Sequence, residues 1–158
     1  MMTTRTDQDA RTMSSNNPKR QRPEDYGIPA HFQHWDGDQA EDSIGPFFFA
    51  LQDGEIHTAF RVKPENCNAH RTLHGGISMM FADYTLCLAA IGGTHEGVVT
   101  VSCNSEFVGP AHEGDLVLGR GEVIRKGRSL VFARAVLEVE GEPILTASGV
   151  LKLVTRRS

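Results

Sequence analysis

The sequence has too little cysteine for a disulfide framework. Cys67, Cys87 and Cys103 are an odd number, and no two of them form a C-x-x-C pair. That usage fits a reducing compartment and not a stapled secreted fold. Positive charge is scarce as well: 16 Lys and Arg stand against 20 Asp and Glu, a net charge of −4. A chain with no basic footprint is not built to track a phosphate backbone, so nucleic acid is not an expected partner. No N-terminal apolar run resembles a secretory signal. The most apolar window, Ile77 to Ile91, is too short for a membrane span and contains Asp83. Gly75-Gly76 and Gly92-Gly93 complete neither a G-x-G-x-x-G fingerprint nor a Walker loop, and no internal repeat is visible. These absences leave a cytoplasmic protein with no membrane partner, and its 158 residues suit one domain with a real core.

Residues 1–25 are polar and charged without hydrophobic periodicity, which predicts a disordered leader before a domain over 26–158. Tyr26 to Trp35 is expected to form a short helix on the domain surface, and Gly37 to Ser43 a loop. Phe47 to Leu51 and Ile56 to Val62 flank Asp53-Gly54, a strong signal for a β-hairpin. Gly92-Gly93 stops the helix that follows. Four further strands are predicted over about 98–107, 115–125, 129–140 and 142–154. Short turns between successive strands imply antiparallel pairing. The expected fold is therefore α+β, an antiparallel sheet wrapped around one long central helix.

That helix, starting near Ile77, is apolar almost all the way round and so must be covered by other structure. Its polar residues therefore carry information. Ser78 and Thr85 can return their hydroxyls to helix carbonyls. Asp83 cannot, since an ionised carboxylate in apolar surroundings needs partners or a raised pKa. Gly75 and Gly76 leave backbone amides unobstructed at the positive end of the helix dipole. The same element thus offers an anion-stabilising pair of amides and, two turns on, a carboxylate.

The residues carry a resemblance. Asn68, then His74-Gly75-Gly76 six residues on, then Asp83 nine residues after the histidine, followed by Asn104 to Ala111 and Gly114-Asp115, resemble a hotdog-fold acyl-CoA thioesterase. The likeness is to the phenylacetate-pathway branch of the 4-hydroxybenzoyl-CoA thioesterase-like superfamily, and it covers about Phe47 to Val154. It implies hydrolysis of an acyl-CoA to a carboxylic acid and CoA without a cofactor. It further implies Asp83 as nucleophile or general base, the Gly75 amide on the thioester carbonyl, Asn68 and His74 orienting the site, and Thr100 placing the water or the carboxylate. Gly76 joins the substrate contacts. The turn Arg125-Lys126-Gly127-Arg128-Ser129 is either a charged hairpin turn or, by the resemblance, a contact for the phosphates of CoA through Arg125, Gly127, Arg128 and Ser129. Met79, Met80, Phe81 and Phe107 suit an apolar acyl site or the core equally.

Gly75 and Asp83 are eight residues apart, roughly 12 Å along a helix at about 1.5 Å per residue. One helix cannot offer both to one carbonyl carbon. An antiparallel copy across a two-fold axis can, so the site is expected to be shared within a homodimer or a dimer of dimers. Two other functions and a metal site compete with this expectation. A hotdog dehydratase or hydratase needs a histidine and an acid near the thioester's α and β carbons, and no such pair is visible beyond His74. A non-catalytic acyl-CoA sensor needs a DNA-binding element, which this acidic chain lacks. His70 and His74 stand four apart but precede the helix and have no acidic third ligand, so metal is not expected.

Overall fold

The computed structural model describes residues 21–92, 94 and 96–155. In chain order the elements are β1 (Gln33–His34), α1 (Gln39–Ile44), β2 (Phe48–Gln52), β3 (Glu55–Arg61), α2 (Gly75–Ile91), β4 (Gly97–Phe107), β5 (Leu116–Lys126), β6 (Leu130–Val139) and β7 (Glu142–Val154), with 3-10 turns at Pro23–Tyr26 and Pro64–Asn66. All seven strands form one antiparallel sheet in the order β1-β2-β3-β5-β6-β7-β4. The sheet curls around α2, which touches β3, β4, β5, β6 and β7. This is the predicted architecture.

Local chemistry accounts for the joints. Asp53 and Gly54 both take positive φ, 51° and 80°, the backbone of a two-residue hairpin turn whose twist matches the strands. Glu140 and Gly141 repeat it between β6 and β7 at 50° and 84°. Helix α2 stops at Gly92, whose left-handed φ of 57° lets its amide return to Leu88. Thr85 donates to the Phe81 carbonyl at 2.9 Å, as a buried helix hydroxyl does. The core lies between helix and sheet. Phe47 meets Phe60 edge-on at 5.1 Å and Phe81 at 5.0 Å. Val131, Ala133, Ala135 and Leu137 of β6 and Leu145, Ala147 and Leu151 of β7 face this core, as their alternation predicts.

Two close approaches hold α2 against β5. A Cβ on Gly119 would stand 2.2 Å from Thr58 Oγ1 and 2.9 Å from Thr85 Oγ1, and one on Gly121 would stand 2.8 Å from Ala89 Cβ. The helix rides in a groove that only glycine leaves open.

Several expectations need correction. Residues 1–20 of the predicted leader lie outside the described residues, but its end does not extend to Asp25. Pro23–Tyr26 is a 3-10 turn with Pro23 buried, and the Ile28 amide donates to the Pro23 carbonyl at 3.0 Å. Arg61 secures this segment by donating to the carbonyls of Tyr26 (2.9 Å) and Gly27 (3.0 Å). Ile28 and Phe32 then cover Phe48, Ala50 and Ala59 on the sheet's outer face, each burial worth about 1.5–3 kcal/mol. Tyr26 to Trp35 is accordingly this 3-10 turn and the short strand β1, not a helix. Within Gly37 to Ser43, read as a loop, α1 forms because the Asp38 carboxylate accepts the Glu41 amide at 3.0 Å. Finally, β4 and β5 are not hairpin neighbours. β4 pairs only with β7, and β5 lies between β3 and β6. The 108–115 connection crosses over because α2 must be covered from both sides.

Candidate active site

Two groups of the predicted residues come together, one at the start of α2 and one at its middle. At its start, His74 adopts an extended backbone and its Nδ1 accepts the Gly76 amide at 3.0 Å. The ring thus acts as the helix N-cap and its Nδ1 carries no proton in this arrangement. This corrects the expectation of two free amides. Gly76 donates to His74, whereas the Gly75 amide, at the first helical position, has no partner among the described residues. Phe107 sits above it, since a Cβ on Gly75 would lie 3.2 Å from that ring.

Asn68 shapes the loop that delivers this helix start. Its Oδ1 accepts the amides of His70 (2.9 Å) and Thr72 (3.3 Å), and its Nδ2 donates to Thr72 Oγ1 at 3.0 Å. Arg71 takes a left-handed φ of 61° within this wrap. Leu73 and His74 are then fixed by donating to the carbonyls of Ala111 (2.8 Å) and Asn66 (2.9 Å). Asn66, which the sequence did not flag, is buried and joins the loop to α1 by donating to the Ile44 carbonyl at 2.9 Å. Asn68 therefore touches neither His74 nor Gly75 through its side chain; it fixes the path of the backbone leading to them.

Two turns further on, Asp83 is half-buried and the Thr100 hydroxyl donates to its Oδ1 at 2.6 Å. A bond this short to a carboxylate oxygen is charge-assisted. It leaves Oδ2 to meet a water or a carbonyl carbon. Cys87 Sγ lies 3.5 Å from Thr100 Oγ1, completing a Cys87–Thr100–Asp83 line. Burial pushes the Cys87 thiol up to about 11, with Asp83 and Glu41 adding to it. It is thus a protonated hydrogen-bond donor at neutral pH, not a nucleophile.

Asp83, Cys87 and Thr100 line a cavity of about 530 Å³ with Trp35, Glu41 and Tyr84. Glu41 was missed in the sequence. It stands 42 positions before Asp83 on a helix too short to show a pattern, and no spacing rule links the two. Burial pushes its carboxyl up to about 7, and Asp38, Asp42 and Asp83 push in the same direction. Asn68, His74, Gly75 and Gly76 do not line this cavity. Phe81, offered as an acyl contact or core, is core at 0% exposure, whereas Met79 is 39% and Phe107 56% exposed.

The predicted CoA turn stands next to the Asp83 cavity. Arg125, Gly127, Arg128 and Ser129 are all exposed. The turn is closed by the Gly127 amide on the Leu130 carbonyl at 2.7 Å. Lys126 bonds Glu96, a residue of the cavity wall, at 3.1 Å. Among the described residues, Arg125 and Arg128 carry no ion pair.

An antiparallel sheet rolled around one long helix is the hotdog fold. The sequence pattern of the Thioesterase superfamily matches residues 70–145, a span that includes α2 and the three strands after it. The chain is a hotdog-fold thioesterase. It is 29% identical over 98 residues to the human protein named acyl-coenzyme A thioesterase 13, covering 61% of this chain and 69% of that one. The PaaI protein of the E. coli phenylacetic acid degradation operon superposes with a TM-score of 0.68 at 17% identity, over 75% of this chain and 86% of its own. A hypothetical thioesterase of Streptococcus pneumoniae, solved with coenzyme A, superposes with a TM-score of 0.67 at 18% identity, over 74% and 93%. No helix among the described residues is long and apolar enough to cross a membrane.

Proposed function

We propose that the protein hydrolyses acyl-CoA thioesters to a free carboxylic acid and CoA, in sites each assembled from two subunits. The observation that carries this is the Thr100–Asp83 hydrogen bond of 2.6 Å at a cavity wall, which holds a carboxylate oriented toward open space. The name of the human relative and the coenzyme A in the pneumococcal structure support acyl-CoA as the substrate class.

Water attack on a thioester places negative charge on the carbonyl oxygen. A preorganised amide aimed at that oxygen is worth about 3 kcal/mol, on the order of 10²–10³ in rate. The unpartnered Gly75 amide suits that role, while Asp83 takes the water's proton or attacks the carbonyl carbon itself. The expelled CoA thiolate is a good leaving group and needs little acid assistance. About 12 Å of helix separates the two groups within one chain, so each carbonyl is held by Gly75 of one subunit and attacked with the help of Asp83 of the other.

The surface is consistent with such a partner. Gly76, Met79, Met80, Asp83 and Cys87 form one stripe along α2 that the sheet leaves at least partly exposed. The edge strand β4 and the residue after it expose Val99, Val101, Phe107 and Val108. An apolar stripe beside an unpaired apolar edge is a docking surface and not a solvent face. A dimer or a dimer of dimers covers both, and Arg125 and Arg128 beside the cavity are then free to meet the phosphates of CoA.

The test is Asp83→Asn, which keeps the shape and removes the charge. Thiol release from acyl-CoA is expected to fall by at least ~10² in kcat with the fold intact by circular dichroism. Unchanged turnover would remove Asp83 from the mechanism.

A further inference from the structure

The cavity beside Asp83 holds groups for which thioester hydrolysis has no use. Glu41 reaches it from α1, and its carboxyl accepts no hydrogen bond among the described residues. Tyr84 lines the same cavity and is 6% exposed. Its hydroxyl is the one buried side-chain polar atom without a hydrogen-bond partner among the described residues. A buried hydroxyl left unpaired costs roughly 1–3 kcal/mol, and this one lies out of solvent's reach and offers the cavity no donor. The charge around it is of one sign. Asp38 and Glu96 join Glu41 and Asp83 in the lining, and no cationic side chain does so among the described residues. The Lys126 ammonium bonds Glu96 at 3.1 Å without entering the lining.

We propose that Glu41 is a specificity-determining residue of the acyl cavity, admitting acyl groups with neutral ends and turning away those that end in a carboxylate. This rests on the reading of the chain as an acyl-CoA thioesterase with Asp83 in its site. An acyl tail running past Asp83 ends between Glu41 and Tyr84. There a carboxylate would be desolvated beside like charges with no cation in the lining to pair it, while an alkyl end meets the apolar wall of Leu88, Ile91 and Val98.

The exclusion strengthens with pH. Burial, then Asp38, Asp42 and Asp83, hold the Glu41 proton until about pH 7. Facing Glu41 are Asp38 and Asp42 from its own helix, Asp83, Tyr84 and Cys87 from α2, and Glu96 ahead of β4. His34 of β1 is bound to Asp42 at 2.5 Å. Below about 7 Glu41 is neutral and rejects a carboxylate less; above it the added charge completes the barrier.

The experiment compares hexanoyl-CoA with adipoyl-CoA, equal in chain length and differing by one terminal carboxylate. In parallel, the affinities of the matching thioethers, S-hexyl-CoA and S-(5-carboxypentyl)-CoA, are read by calorimetry. The wild type is expected to favour hexanoyl-CoA at least tenfold in kcat/KM at pH 8.5, with the preference narrowing toward pH 6. Glu41→Gln should cut that preference at least threefold at pH 8.5, mainly through the KM for adipoyl-CoA, and flatten its pH dependence. The thioether affinities should follow the same pattern. An undiminished preference in Glu41→Gln, in both thioesters and thioethers, overturns the inference. If neither thioester is hydrolysed but the thioethers still discriminate through Glu41, the inference stands and the proposed hydrolysis falls.

Discussion

The Thr100 hydroxyl reaches across from β4 to α2 and donates to Asp83 Oδ1 at 2.6 Å. The bond joins the edge strand of the sheet to the helix at the point where the helix carries its acid. It fixes which carboxylate oxygen is occupied and which is open. Replacing Thr100 by Val removes the hydroxyl and keeps the shape. A charge-assisted bond of this kind contributes about 1.5–3 kcal/mol, so kcat is expected to fall about 10- to 100-fold with KM changed little. Thr100→Ser, which retains the donor, should recover most of the loss. A Ser variant as slow as the Val variant would mean that Thr100 acts through packing alone.

Gly75 offers a cleaner test of a shared site, because proline is welcome where it stands. The first helical position tolerates proline, whose missing N–H has no helix partner there. His74 before it already has φ −61° and ψ 130°, the extended backbone that a residue preceding proline adopts. Phe107, 56% exposed, can yield to the ring. Gly75→Pro should therefore fold with an unchanged melting temperature and lose about 10²-fold in kcat through the absent amide. Mixing it with Asp83→Asn under conditions of subunit exchange should restore up to a quarter of wild-type activity. Half the chains then pair as heterodimers, and each heterodimer holds one site with an intact Gly75 and an intact Asp83. Mixtures no more active than their parents would place both groups in one chain.

The packing of α2 makes its own prediction. Thr58 and Thr85 share a hydrogen bond of 2.8 Å directly over Gly119. Gly119→Ala inserts a methyl 2.2 Å from Thr58 Oγ1, which neither hydroxyl can avoid without breaking that bond. Overpacking of this degree costs about 1–3 kcal/mol, a fall of about 2–12 °C in Tm. A Tm within 1 °C of wild type, by calorimetry, would show that the helix can shift outward at no cost.

The fold was largely legible because most of it obeys local rules. The Asp53-Gly54 hairpin, the Gly92 stop and the alternation of β6 and β7 each rest on one or two residues whose chemistry permits little else. The same logic stops short in β4. Its alternation sets Val99, Val101, Cys103 and Phe107 on one face, yet Val99, Val101 and Phe107 stand 49%, 60% and 56% exposed. A period of two identifies an apolar face without saying what covers it, and at a sheet edge the cover need not come from the same chain. Asp83 and Gly75 were legible as a spacing along one helix. Glu41 and Tyr84 were not, because the first meets the cavity only through tertiary folding and the second read as one more apolar position of α2. The doubling of free amides at Gly75-Gly76 failed for a short-range reason: a histidine two residues ahead has the reach to cap the second one.

Glu41 also leaves a mark on stability that needs no substrate. Its carboxyl has an unfolded value near 4.5 and a folded one near 7, raised first by burial and then by Asp38, Asp42 and Asp83. Between those values the folded chain keeps a proton that the unfolded chain has released. Stability must therefore decline as pH rises through that window, and level off above about 7. Glu41→Gln mimics the protonated form at every pH and removes this contribution. The variant should match the wild type near pH 4, then become the more stable of the two by an amount that grows to about pH 7 and holds beyond. Urea midpoints at pH 4.5, 6.0 and 7.5 measure the gap, with the other carboxylates common to both proteins. A constant difference across the three would mean that Glu41 loses its proton at an ordinary value and that the acids around the cavity do not oppose its charge.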